Sequence, residues 1–298
     1  MYESFYGLRE RPFELTSCAR FVVMTAKHRE ALSALEYGIR AGNGITLLVG
    51  EAGTGKTTMV RLAFGARVDG TPGEGQRWVC VNNPALTRQE FLDTLAHGFQ
   101  LSPEASTSKS RFLRELERSL IEEHPGGGMC GLVVDEIQSA PPDVLEELRL
   151  LANLESDTAK LLRVVLVGQP AFARRVNHPD LAHLKQRIGL RCTLPALDVR
   201  ETAIYLPRRI TLAGGTPEEV FTRDGVLAIY NRSGGIPRTV NVIADNALLT
   251  GFAADRRPVD AELVLEVCRD LDLTTTSDTS RRVGATAAPT TVRSIARR

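Results

Sequence analysis

This chain of 298 residues has almost no net charge. Its 37 basic and 36 acidic residues leave a formal net charge of +1, so no bulk field draws it to nucleic acid or to a membrane surface. Cysteine is scarce and scattered: Cys18, Cys80, Cys130, Cys192 and Cys268 form no C-x-x-C pair and are odd in number. That excludes a disulfide-stapled scaffold and a cysteine zinc site, and fits reduced thiols. The five histidines show no metal-ligand spacing; His178 and His183 stand five apart with nothing suitable beside them. No apolar run approaches the ~20 residues that a membrane-crossing helix needs. The start, Met1 to Phe5, has neither the basic stretch nor the apolar core of a signal peptide. The expectation is a soluble, cytoplasmic chain with no transmembrane segment. Lysine is also rare, only 5 of the 37 basic residues. Guanidinium groups therefore dominate, and they suit bidentate anion contacts, although codon usage alone explains such a skew.

With 43% hydrophobic residues, the chain can bury one large core or two modest ones. Short apolar runs of strand length recur at 45–49, 78–81, 131–134, 164–167 and 190–194. Helical periodicity fills the gaps, as in 88–99, 111–122 and 144–154. Continuous apolar strands alternating with amphipathic helices predict an α/β fold with a parallel sheet covered on both faces. Pro195 ends the last strand. From Asp198 to Asp270 the pattern becomes helical only, punctuated by Gly214-Gly215 and Gly234-Gly235. The predicted organisation is an N-terminal linker and lead-in helix (1–43), a core (44–195), a small all-helical lid (196–272) and a disordered basic tail (273–298). The tail is Thr, Ser, Ala and Arg without periodicity.

The chemistry concentrates after the first strand. Gly50, Glu51, Ala52, Gly53, Thr54, Gly55, Lys56 and Thr57 follow Ile45–Val49, and Thr58 continues into a helix-compatible run. Strand, glycine loop and helix form the context of a phosphate-binding P-loop. The loop's N–H groups and the helix N-terminus attract anions. Lys56 reaches the β- and γ-phosphates of a nucleoside triphosphate, and the Thr57 hydroxyl holds Mg²⁺. The strand at 131–134 ends in Asp135 and Glu136. Downstream of a P-loop, Asp135 is expected to complete the Mg²⁺ shell and Glu136 to polarise the attacking water. The next strand ends at Gln169 before Pro170, where a polar side chain can reach between Glu136 and the γ-phosphate. Arg238, in Ser233-Gly-Gly-Ile-Pro-Arg238, opens a helix of the lid, where a cation is mildly unfavourable for the helix dipole. That cost points to an anionic partner. Arg187, just before the last strand, is placed to project from the subunit's edge toward a neighbour's site, with Arg174, Arg175 and Arg191 competing for the role.

These motifs in this order resemble an AAA+ ATPase, more narrowly the ExeA/GspA family of secretion ATPases. The resemblance rests on Phe5-Tyr-Gly-Leu8 with Arg11-Pro-Phe13, on His28-Arg-Glu-Ala-Leu32, and on the P-loop itself. Further along it rests on 144–155, Leu166-Val-Gly-Gln-Pro170, Glu201-Thr-Ala-Ile-Tyr205, and Gly234-Gly-Ile-Pro-Arg238 through Asn241 to Leu249. It covers roughly residues 1 to 270. The resemblance implies an AAA+ P-loop NTPase, with a five-stranded parallel sheet, helices on both faces and a helical lid. It implies ATP and Mg²⁺ as ligands and hydrolysis at a site between core and lid. Lys56 and Thr57 then serve Walker A, Asp135 and Glu136 Walker B, Gln169 sensor 1 and Arg238 sensor 2, and residues 21–28 lie near the adenine. Ser17-Cys-Ala-Arg20 stands where related sequences usually have an Asp-Pro turn, and Ile137 where many have Ala.

The resemblance further implies an ATP-dependent homo-oligomer, a ring or a filament, driving or timing assembly of a secretion or envelope system. Such a protein is cytoplasmic, or peripheral at the inner membrane through its partners. The alternative is a duplex-DNA-bound transposition regulator of the TnsC, TniB and MuB type. Its local hint is a tail with Arg281, Arg282, Arg293, Arg297 and Arg298 and no acid after Asp278, since a basic tail can track phosphates. A solvated end with nothing to bind is the simpler reading of that tail.

Overall fold

A computed structural model describes residues 1–14, 19–42, 44–64, 76–123, 129–156 and 160–273. The expected tail, apart from Leu273, lies outside the described residues. The chain divides into two compact units. One contains 19–197 together with Ile236–Arg238, and the other contains 1–14, 198–235 and 239–273.

In the first unit the order is α1 (Ala26–Ala41), β1 (Ile45–Val49), α2 (Lys56–Ala63), β2 (Gln76–Val81), α3 (Arg88–Gly98), α4 (Lys109–Glu123) and β3 (Met129–Val134). There follow α5 (Pro142–Leu151), β4 (Leu162–Gly168), the short α6 (Pro170–Arg175) and α7 (Ala182–Lys185), and β5 (Ile188–Thr193). All five strands run parallel in the order β2-β3-β4-β1-β5. The expected parallel sheet is there: β1 coincides with its apolar run, β2 and β3 begin two residues before theirs, β4 is longer by three, and β5 begins two residues earlier and ends one earlier.

Side-chain alternation sorts the sheet's two faces. Leu47, Val49, Leu132, Val134, Val164 and Leu166 join Phe91, Phe112 and Leu148 of α3, α4 and α5 in one core. The alternate residues Leu48, Val133, Val165 and Val167 join Leu35 of α1 and Met59 of α2 in the other. Both faces are covered, which is why the strands read as unbroken apolar runs rather than as alternation. A buried Phe or Leu is worth about 1.5–3 kcal/mol over an exposed one, so packing rather than propensity holds these helices. The lone tryptophan, Trp78, lies against Gly131 on β3 and stacks on Phe64 at the end of α2, ring centroids 3.8 Å apart.

The second unit holds α8 (Val199–Leu212), the short α9 (Pro217–Val220), α10 (Arg223–Ser233), most of α11 (Pro237–Ala253) and α12 (Ala261–Asp270). The helices α8, α10 and α12 start where the sequence supplies a cap. Asp198 and Glu201 form a reciprocal capping box on α8, while Thr222 and Asp260 cap α10 and α12.

Residues 1–14 are built into this helical unit. Tyr6 and Phe13 are 2% and 1% exposed, and the Arg9 N–H donates to the Ala213 carbonyl at 2.8 Å. Arg209, 6% exposed, donates from Nε to the Pro12 carbonyl at 2.6 Å and from Nη1 to the Tyr205 hydroxyl at 2.7 Å. Tyr205 in turn donates to Asn241 Oδ1 at 3.0 Å. The motifs at Arg11-Pro-Phe13, Tyr205 and Asn241 thus meet around one buried guanidinium. No helix among the described residues is long and apolar enough to cross a membrane.

Candidate nucleotide site

The carboxyl ends of β1, β3 and β4 are adjacent in the sheet, the place where open α/β sheets bind ligands. The loop after β1 is clamped by its neighbours. Gly50 N–H donates to the Gly168 carbonyl at 3.1 Å, and the Val49 carbonyl accepts from Leu194 N–H at 2.7 Å. Gly53 and Gly55 have φ of +84° and +97°, conformations that side-chain-bearing residues seldom take. Gly55 caps α2 without a side chain, so the loop winds directly into the helix; the Thr54 N–H is taken by the Glu51 carbonyl at 3.3 Å, and the N–H groups that open a helix attract an anion.

Lys56 is 5% exposed, and among the described residues its ammonium makes one hydrogen bond, to the Glu51 carbonyl at 3.0 Å. Burial holds the Lys56 pKa below the ordinary lysine value, and Arg238 pushes the same way; Glu136, Asp135 and Glu51 oppose. A buried ammonium with donors to spare suits an incoming polyanion.

Thr57 Oγ1 donates to Asp135 Oδ2 at 2.7 Å across a sequence gap of 78 residues. A hydroxyl and a carboxylate so joined are the two hard oxygen donors that a Mg²⁺ site of this kind takes from protein. The described residues include no cluster of three or more His, Cys, Asp or Glu that could hold a metal alone. Phosphate oxygens and water would therefore have to complete the shell, as Mg²⁺ prefers.

Glu136 stands just past the strand with φ +51° and ψ +40°, a left-handed conformation costing on the order of 1 kcal/mol or more for a non-glycine residue. Its carboxylate Oε2 accepts from Gln169 Nε2 at 3.2 Å and also from Gln138 Nε2. The Gln138 side-chain carbonyl accepts the Gln169 backbone N–H at 3.1 Å.

Arg238, in the first turn of α11, donates its backbone N–H to the Gly53 carbonyl at 3.2 Å. Its side chain is exposed, and its Cβ crowds Gly53 so closely that a Cβ there would lie 2.7 Å away.

Lys56, Thr57, Asp135, Glu136, Gln169 and Arg238 therefore come together. Arg187 does not join them: its carbonyl accepts from Ile45 N–H at the start of β1. It sits at the amino end of β5, a six-residue strand spanning about 20 Å from the loop end. Its side chain is exposed. Of the competing arginines, Arg174 and Arg191 are exposed, whereas Arg175 donates to the carbonyls of Gln138 and Ala140 at 3.4 and 3.3 Å.

Sequence reading does not single out Gln138. A glutamine carries no chemistry by type, and only its position two residues past an Asp-Glu pair could have drawn attention to it.

An AAA domain matches residues 39–176. General secretion pathway protein A of Aeromonas hydrophila is 37% identical over 253 residues, which are 85% of this chain and 45% of that protein. The chain thus spans less than half the length of this relative. Among solved structures, Cdc6p of Pyrobaculum aerophilum is similar with a TM-score of 0.65 at 18% identity, over 89% of this chain and 74% of that one. ORC2 of Aeropyrum pernix, solved as ADPNP–ADP complexes, gives 0.59 at 19% identity over 87% and 71%. The RuvB branch migration motor of Thermotoga maritima gives 0.53 at 17% over 88% and 72%.

Proposed function

We propose that the chain, which matches an AAA domain over residues 39–176 and is similar to general secretion pathway protein A, binds and hydrolyses ATP to drive or time assembly of a secretion or envelope system. The observation that carries the ATPase reading is the 2.7 Å bond from Thr57 to Asp135. It joins the two strand-end motifs at one point, beside the half-bonded ammonium of Lys56. The secretion reading rests on the relative's name and on the match over 85% of this chain.

In this reading the loop N–H groups of Gly53, Gly55, Lys56 and Thr57 and the ammonium of Lys56 bind the β- and γ-phosphates. Thr57 and Asp135 would hold Mg²⁺, whose charge offsets that of the phosphate oxygens. Glu136 orients the attacking water and takes its proton at the carboxylate, and Gln169 holds the same water from the tip of β4. Arg238 contacts the γ-phosphate. Arg187 lies too far from its own loop to serve it, so it acts on a neighbour's nucleotide in a homo-oligomer. A rate that rises with protein concentration follows from that arrangement.

Steady-state ATP turnover across a protein concentration series, with Lys56→Ala as the blank, tests the reading. Turnover no higher than the blank at every concentration would refute the ATPase assignment. Strong stimulation by duplex DNA would replace the secretion role with a DNA-bound one.

A further inference from the structure

Gln138 lies in the 3₁₀ turn Ile137–Ser139 directly after Glu136, and it uses both halves of its side-chain amide. The Nε2 group donates to Glu136 Oε2, while Oε1 accepts the backbone N–H of Gln169 at 3.1 Å. Gln169 then returns a second bond, from Nε2 to the same Glu136 oxygen at 3.2 Å. Three residues from two strand ends thus close a ring of hydrogen bonds around one carboxylate. The turn is fastened from behind by Arg175, which donates to the Gln138 and Ala140 carbonyls. The Ser139 N–H donates back to the Glu136 carbonyl at 2.9 Å.

We propose that Gln138 is a positioning residue for hydrolysis, orienting the Glu136 carboxylate and locking it to Gln169 so that the two water-handling side chains act as one unit. The proposal rests on the ATPase reading above. A carboxylate with one oxygen occupied by two amide donors presents its other oxygen in a fixed direction. Water placed by such a group is held near its line of attack rather than sampling several directions, and misplacement by about 1 Å can cost on the order of 10²-fold in rate. The Glu136 side chain leaves a left-handed backbone and meets Gln169 at the end of β4.

A plain bracing role would use only the acceptor half of the amide, the bond from Gln169 N–H. Substitution Gln138→Glu separates the two possibilities, because it keeps that acceptor and the side-chain volume but removes the donor and sets a second carboxylate against Glu136. Gln138→Ala removes both halves.

The experiment compares kcat, KM and the affinity for a fluorescent ATP analogue in the full chain. Wild type, Gln138→Ala, Gln138→Glu, Gln169→Ala and the Gln138→Ala/Gln169→Ala double variant are measured, with Lys56→Ala as the blank. Both Gln138 variants are expected to lose roughly 10- to 100-fold in kcat, the loss that follows from a hydrogen bond to a charged group. KM and analogue affinity should stay within about twofold, as for an interaction that matters only at the chemical step. The double variant should be no worse than the worse single one.

Wild-type kcat in Gln138→Glu would overturn the proposal and leave Gln138 a brace. Losses that multiply in the double variant would overturn the coupling, and a loss of analogue affinity matching the loss of rate would assign Gln138 to nucleotide binding. Wild type no faster than the blank would instead remove the ATPase reading, and this inference with it.

Discussion

Among the described residues each unit buries one strong cation, and the two are used differently. Lys56 in the sheet unit is 5% exposed and Arg209 in the helical unit 6%. Arg209 is spent on structure. It donates to the carbonyls of Pro12 and Glu14 and to the Tyr205 hydroxyl, with the rings of Phe13 and Tyr205 within 6 Å of its guanidinium. Lys56 makes a single bond among the described residues, and burial lowers its pKa. A satisfied buried charge fixes a fold, whereas an under-satisfied one stores an unfavourable term that a ligand relieves.

The largest effect should come from removing the under-satisfied cation. Lys56→Ala is expected to abolish binding of a fluorescent ATP analogue while the melting temperature of the unliganded protein does not fall. A drop of several degrees would place Lys56 among the structural charges with Arg209.

An exposed cation is the third case. Arg187→Ala should lower ATP turnover by about 10³-fold with analogue affinity retained, the signature of an arginine supplied by a neighbour. Lost affinity would place Arg187 within its own subunit's site.

Arg209→Met should cost about 2–4 kcal/mol in chemical denaturation, because the Pro12 carbonyl and the Tyr205 hydroxyl are left buried without their donor. Tyr205→Phe, which removes only the bond to Asn241 and the acceptor for Arg209, should cost about 1 kcal/mol. If the two substitutions cost the same, the guanidinium is not the centre of the network.

The smallest effect is a pH slope. Lys56 titrates below the ordinary lysine value of 10.5 when folded, so in the alkaline range the unfolded chain binds the proton that the folded chain has lost. The Lys56 contribution to stability should therefore rise with pH toward 10.5, against the fall expected from the Cys130 and Cys192 thiols, whose pKa values burial raises, and the difference between wild type and Lys56→Met should show that rise.

The two units also differ in how openly the sequence discloses them. The sheet is legible because strands buried on both faces must be apolar throughout, as in Ile45–Val49 and Leu162–Gly168. Lys56, Thr57, Asp135 and Glu136 are legible because those residue types, at a helix start after a glycine loop and just past a strand end, make a recognisable phosphate-binding pattern. The ring closed by Gln138 is not, since a neutral amide marks nothing by its type. The place of residues 1–14 is hidden for another reason. Tyr2 bonds to Asp245 and Tyr6 to the Arg256 carbonyl across 243 and 250 positions, and no local pattern carries pairings of that range. Proximity in sequence to α1 suggests the sheet unit, while Tyr2, Tyr6 and Phe13 bury themselves in the helical one.

The most direct test of the account is Glu136→Gln, measured beside wild type for analogue binding and for turnover at saturating Mg²⁺ and ATP. Binding equal to wild type with turnover at the level of the Lys56→Ala blank is the result expected if Glu136 handles the attacking water. Turnover at the wild-type rate would contradict it, and would leave the ring around the Glu136 carboxylate without a catalytic purpose.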